Sequence, residues 1–147
     1  MTMFSLREQI IQTIASKLTP VATAEGATLR RQPTTPADRA HLPALLVFPE
    51  SESVRRINDR AERELTIRIV ALAMGTATEL PEPIADRLMT TVHAALMDDV
   101  TLNGLALGTE EIDCEWQQDD ADMDAAALPA RYRITYRTLA HDLTQKG

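Results

Sequence analysis

The stretch ARYRITYRTLAHD, residues 130–142, changes character from one position to the next. With the two-residue period of a strand, Arg131, Arg133, Thr135 and Arg137 project to one side, and Tyr132, Ile134, Tyr136 and Thr138 to the other. One side suits a core and the other suits charge, so the strand belongs to a sheet covered by helices on a single face. ERELTIRIVALAM, 62–74, repeats the design: Leu65, Ile67, Ile69 and Ala71 alternate with Glu64, Thr66, Arg68 and Val70.

Helical periodicity supplies the cover. Ser5-Leu6-Arg7-Glu8 has the form of a capping box, and Leu6, Ile10, Ile14 and Leu18 follow at intervals of four, predicting a helix over 5–18 that Pro20 and the Gly26 region end. Ile84, Leu88, Val92 and Leu96, entered through Pro81 and Pro83, predict a second helix over 82–97. Short strands are expected at 27–32, 42–48 and 109–117, and the final strand at 129–140. The segment 51–61 is expected to be a long charged loop, ordering on assembly, and 117–128 an acidic loop. The order α-β-β-β-α-β-β over 147 residues, with no repeat or linker, predicts an α+β fold. Residues 1–147 are expected to form a single domain with a mixed or antiparallel sheet and two main helices packed on one face.

Composition narrows the functional classes. No apolar run approaches the ~20 residues that span a bilayer, and the N-terminus, interrupted by Arg7, Glu8 and Lys17, does not read as a signal peptide, which predicts a cytoplasmic start. Cys114 is the only cysteine, excluding an internal disulfide, and is expected to be buried and inert. His41, His93 and His141 stand apart, without ligand spacing, and no nucleophile elbow or phosphate-binding glycine loop is present. Asp119, Asp120, Asp122 and Asp124 resemble part of a calcium loop but lack its glycine and closing glutamate. No catalytic residue, metal or cofactor is therefore assigned.

The arginines need a different explanation. A pI near 4.9 and 3% aromatic residues do not fit a nucleic-acid binder. Residues 110–124 hold eight of the 22 acidic residues and no basic one, so this segment sets the net charge of −7. Glu111, Asp113 and Glu115, at alternate positions of the preceding strand, are expected to face Arg131, Arg133 and Arg137 in a cross-strand ionic ladder, with Arg68 on the same charged face. Arg55, Arg56 and Arg60 of the 51–61 segment form a basic group with the nearby Arg63. They are candidates to meet Glu111, Asp113, Glu115, Asp119, Asp120, Asp122 and Asp124 of another subunit.

Five stretches in this order resemble the tail-terminator proteins of long-tailed bacteriophages, the minor tail protein U type. They are LREQIIQTIASKL, LPALLVF, RELTIRIVAL, IADRLMTTVHAALMDD and EIDCEWQQDDADMDAAALPARYRITYRT, and together they run through nearly the whole chain. The resemblance implies a non-enzymatic α/β protein, in the virion at the neck end of the tail and in the host cytoplasm during assembly. It implies a homo-oligomer, a hexameric ring, that caps the tail tube protein, stops tube growth and receives the head–tail connector or completion protein. DNA would pass through such a ring without specific binding, and no membrane partner is implied. The competing readings are another neck or tail-completion protein, or a small ligand-binding domain or enzyme built on the aspartate run and the arginine face.

Overall fold

A computed structural model describes residues 3–31, 42–118 and 125–147. Its centre is strand β3 (Arg60–Met74), whose Leu65, Ile67, Ile69, Ala71 and Ala73 are all buried on one face. Beside it runs β6 (Ala125–Leu139), antiparallel from Arg60↔Leu139 to Met74↔Ala125, with Leu128, Ala130, Tyr132, Ile134 and Tyr136 buried on that same face. The remaining strands are β1 (Thr28–Arg30), β2 (Ala44–Ile57), β4 (Gly108–Cys114), β5 (Gln117–Gln118) and β7 (Asp142–Lys146). Among the described residues they form one sheet of order β1-β2-β3-β6-β4, with β5 and β7 also pairing with β6. Only β1 and β2 run parallel, so the sheet is mixed, as the α+β reading predicts.

Two helices close the apolar face. In α1 (Leu6–Ala24) the Ser5 side chain accepts from the Glu8 N–H at 3.1 Å, completing half of the predicted capping box. Glu8 does not reach back; it binds the Arg31 guanidinium through two hydrogen bonds of 2.8 and 2.9 Å. The helix passes the expected stop at Pro20. Pro20 lies on the exposed side, while the buried row Ile14, Leu18, Ala22 continues beneath it. The chain leaves the helix at Gly26, whose φ of +75° lets the Ala27 and Gly26 N–H groups bond to the Ala22 and Thr23 carbonyls at 2.7 and 3.0 Å. Helix α2 (Pro81–Met97) starts on a proline, which needs no hydrogen-bond partner there, and buries Ala85, Leu88, Met89, Val92 and Leu96.

The largest departure from the sequence reading is at 51–61. This segment is no loop: β2 runs to Ile57 and β3 starts at Arg60, so Asn58 and Asp59 alone form the turn, with Asn58 at a φ of +58°. Pairing continues from Ser51↔Thr66 to Ile57↔Arg60, after a bulge between Pro49 and Ser51. What holds this polar strand is a charged cluster on its inner face. Glu52 accepts from Arg7 at 2.7 Å, from Arg63 at 3.1 Å and from the Tyr136 hydroxyl, and Arg63 Nε donates to Thr138 at 3.1 Å. The last long strand also begins earlier than expected, at Ala125, so 125–128 belongs to the sheet and not to an acidic loop. Strand β7 is an addition that the sequence reading lacks.

The outer face of the sheet is divided. Near the β1 end, Ala44, Leu46, Val70 and Leu72 are buried in a second apolar cluster with Leu42, Phe48 and Ala127. Toward the β2–β3 turn the face becomes charged.

Candidate assembly surfaces

Arg131, Arg133 and Arg137 stand on the outer face, and each meets a carboxylate of a neighbouring strand. Arg131 holds Asp113 of β4 through two hydrogen bonds of 2.9 and 2.6 Å. Arg133 donates to Glu110 of β4 at 2.8 Å and lies 3.6 Å from Glu64 of β3. Arg137 reaches Glu62 at 3.2 Å, and Glu62 also binds Arg55 of β2 at 2.8 Å. Arg68 and Arg131 sit directly opposite in register, and the like charges are bridged by Glu50, 3.3 Å from each. The result is a lattice of alternating sign across four strands. Hydrogen bonds from Arg131 hold the Asp113 carboxyl below its ordinary range, and those from Arg55 and Arg137 do the same for Glu62. Both carboxyls therefore stay ionised at neutral pH, and the ionic contribution is lost only as pH falls below the ordinary carboxylate range.

The expected ladder is present with Asp113 among its partners, but Glu110, Glu62 and Glu50 supply the other carboxylates in place of Glu111. A bulge in β4 between Glu111 and Asp113 inserts Ile112 and shifts the side chains by one place. Glu110 and Asp113 therefore face the arginines, while Glu111, opposite Tyr132, lies on the helix side with its carboxylate 3.2 Å from His93 Nδ1. Glu115 lines a shallow depression with Arg68, Asp113 and Arg131. Asp119, Asp120, Asp122 and Asp124 lie outside the described residues. Of the basic group, Arg63 is withdrawn into the inner cluster with Glu52 and Arg55 is neutralised by Glu62. Arg56 and Arg60 remain exposed at the turn. Arg56 donates to the Asn58 carbonyl at 2.8 Å, and among the described residues neither arginine has a carboxylate within ion-pair distance.

A groove that the sequence did not single out runs between α2 and β4. It has a volume of about 270 Å³, with Met89, Trp116, Leu128 and Tyr132 as apolar walls and Asp86, Thr90, His93, Glu111 and Cys114 as polar ones. The Tyr132 hydroxyl and His93 Nδ1 are 2.7 Å apart across its floor. Trp116 is 49% exposed, which is unusual for so large an apolar side chain. Cys114, expected to be buried, is exposed at the rim of this groove; its thiol is pushed up by partial burial and by Glu111, Asp113 and Asp86. A larger depression of about 590 Å³ lies along α1, but its lining brings together one cation, Lys17, and no carboxylate. Among the described residues no group of three or more His, Cys, Asp or Glu side chains is placed to hold a metal. No helix there is long and apolar enough to cross a membrane.

The ladder should contribute little individually. A double-mutant cycle on Arg133 and Glu110 is expected to give a coupling of roughly 0.2–1 kcal/mol by urea denaturation, screened further by salt. A coupling above about 2 kcal/mol would mean that this face is desolvated.

No family model matches the chain, and no curated protein matches its sequence. Among solved structures, it is similar to a chain of the "Virion of native gene transfer agent (GTA) particle", with a TM-score of 0.52 and 14% identity over 89% of this chain and 90% of that chain. At that identity the likeness establishes the fold.

Proposed function

We propose that this chain is a structural protein of a phage-like virion, acting as a tail terminator: a homo-oligomeric ring, six subunits in the resembled family, that caps the tail tube and ends its growth. The observation that supports the reading is the fold likeness to a chain of a gene transfer agent virion, which covers about nine-tenths of both chains. The sequence resemblance to tail terminators points the same way.

In this reading the protein works by surface complementarity and transforms no substrate. Its partners are further copies of itself, the tube protein below and the connector or completion protein above, at the neck end of the tail. DNA passes through without specific contact, since transit requires weak binding. A closed ring needs two different complementary surfaces on each subunit. The exposed Arg56 and Arg60 on one side, and the acidic rim around Glu111 on the other, are the surfaces we assign to that role.

Deletion of the gene tests the proposal. Electron microscopy of the resulting particles is expected to show headless tails that are overlong and variable in length. Tails of normal length that lack heads would identify a neck or completion protein instead.

A further inference from the structure

We infer that the groove between α2 and β4 is the socket for the β2–β3 turn of a second copy of this chain. This rests on the ring reading above and names the joint within it. The socket combines an apolar wall, Met89 and the exposed Trp116, with two carboxylates, Asp86 and Glu111, for which the structure provides no lysine or arginine partner among the described residues. The turn combines Ile57, 44% exposed, with Arg56 and Arg60, which have no carboxylate partner among the described residues. Each surface carries what the other lacks. A guanidinium between Asp86 and Glu111 would lie beside the Trp116 ring, an arrangement favoured by cation–π attraction.

Intramolecular closure is ruled out by distance. Arg60 is level with Leu139 on β6 and Cys114 with Ala130, nine residues apart along one strand, roughly 30 Å at about 3.3 Å per residue. The turn of one copy must therefore enter the groove of another. Because the two surfaces differ, the contact is head-to-tail, the kind that generates a ring when the rotation closes. The groove, about 270 Å³, is also smaller than a typical small-molecule pocket and of the size that takes one or two side chains.

The lone cysteine gives a direct test. Cys114 lines the groove and Asp59 sits at the turn, so Asp59→Cys places one thiol on each proposed surface. Treatment with a short bismaleimide at neutral pH, continued long enough for the small thiolate fraction of the raised Cys114 thiol to react, is expected to give a ladder of covalent multimers on a denaturing gel. The Asp59→Cys, Cys114→Ala chain should stop at dimers. Adding Arg56→Glu and Arg60→Glu should reduce the ladder roughly tenfold or more, and adding Asp86→Lys and Glu111→Lys to that chain should restore it. A ladder that survives the arginine reversals, cross-links to another virion protein in place of a second copy, or no ladder at all would overturn the joint. If the joint fails while the gene deletion still gives overlong tails, the terminator reading stands with a different contact. If the ladder forms and the deletion leaves tail length unchanged, the joint stands and the terminator reading falls.

Discussion

Replacing Glu52 with alanine is expected to cost about 3–5 kcal/mol of stability, the loss typical of removing one partner from a buried ion cluster. Glu52 is 10% exposed and Arg63 is 11% exposed, so neither is well hydrated. One carboxylate satisfies Arg7, Arg63 and the Tyr136 hydroxyl together, and without it Arg63 becomes a buried charge with no counter-ion. Arg7→Ala should cost about 1 kcal/mol or less, because Arg7 is 37% exposed and water can replace much of what it gives. Urea denaturation of the two variants decides the matter: a Glu52→Ala loss no larger than the Arg7→Ala loss would show that the cluster is not a buried unit. The same cluster predicts an alkaline limit. Burial and Glu52 together push the Tyr136 phenol well above its ordinary value, and burial with Glu111 does so for Tyr132. The neutral phenols therefore contribute fully below about pH 10. Their contribution declines above it, as the unfolded chain ionises first. Spectrophotometric titration should show both tyrosines resisting ionisation in the folded protein, and Tyr136 yielding earlier in Glu52→Ala.

The second large effect lies at the centre of the sheet. Ile67→Ala, at a fully buried position under the helices, is expected to lose about 3–4 kcal/mol through lost burial and the cavity left behind. Thr66→Ala, one residue away on the outer face, should change stability by about 0.5 kcal/mol or less. Similar losses for the two would mean that the outer face is covered in solution and that the helices do not define the core side. Comparison of the two denaturation midpoints, at unchanged slope, makes the distinction.

Where side chains alternate cleanly between apolar and polar, the structure could be read from the chain. Ile67, Ile69, Tyr132, Ile134 and both helix stripes lie as their spacing predicts, because burial dominates the choice of face. The β2–β3 hairpin was illegible for the opposite reason. Its outer half has Ser51, Ser53 and Arg55 on one side and Glu52, Val54 and Arg56 on the other, with no apolar stripe on either. What orders it is the cluster of Glu52 with Arg7, Arg63 and Tyr136, residues distant in sequence. The charged face shows an intermediate case. Its arginines followed from period two alone, whereas its carboxylates did not, because the bulge at Ile112 is invisible to a period count. The groove was missed since Asp86, Met89, His93 and Trp116 converge from two elements whose packing no local pattern encodes.

The extra residue at Ile112 acts as a parity switch. Upstream of it, even-numbered positions such as Glu110 point toward solvent on the arginine side; downstream, odd-numbered Asp113 does. A run of nearly consecutive acids is thereby dealt to two clients, one balancing charge within the subunit and the other leaving Glu111 at the lip of the groove. The same sequence paired without the bulge would turn Ile112 to the arginine side and Asp113 to the groove side without a single amino-acid replacement, whereas a chain lacking Ile112 would keep all three acids in place. Whether an extra residue is taken up as a bulge, more than residue identity, is thus the feature to compare when asking whether two such proteins recognise the same neighbours.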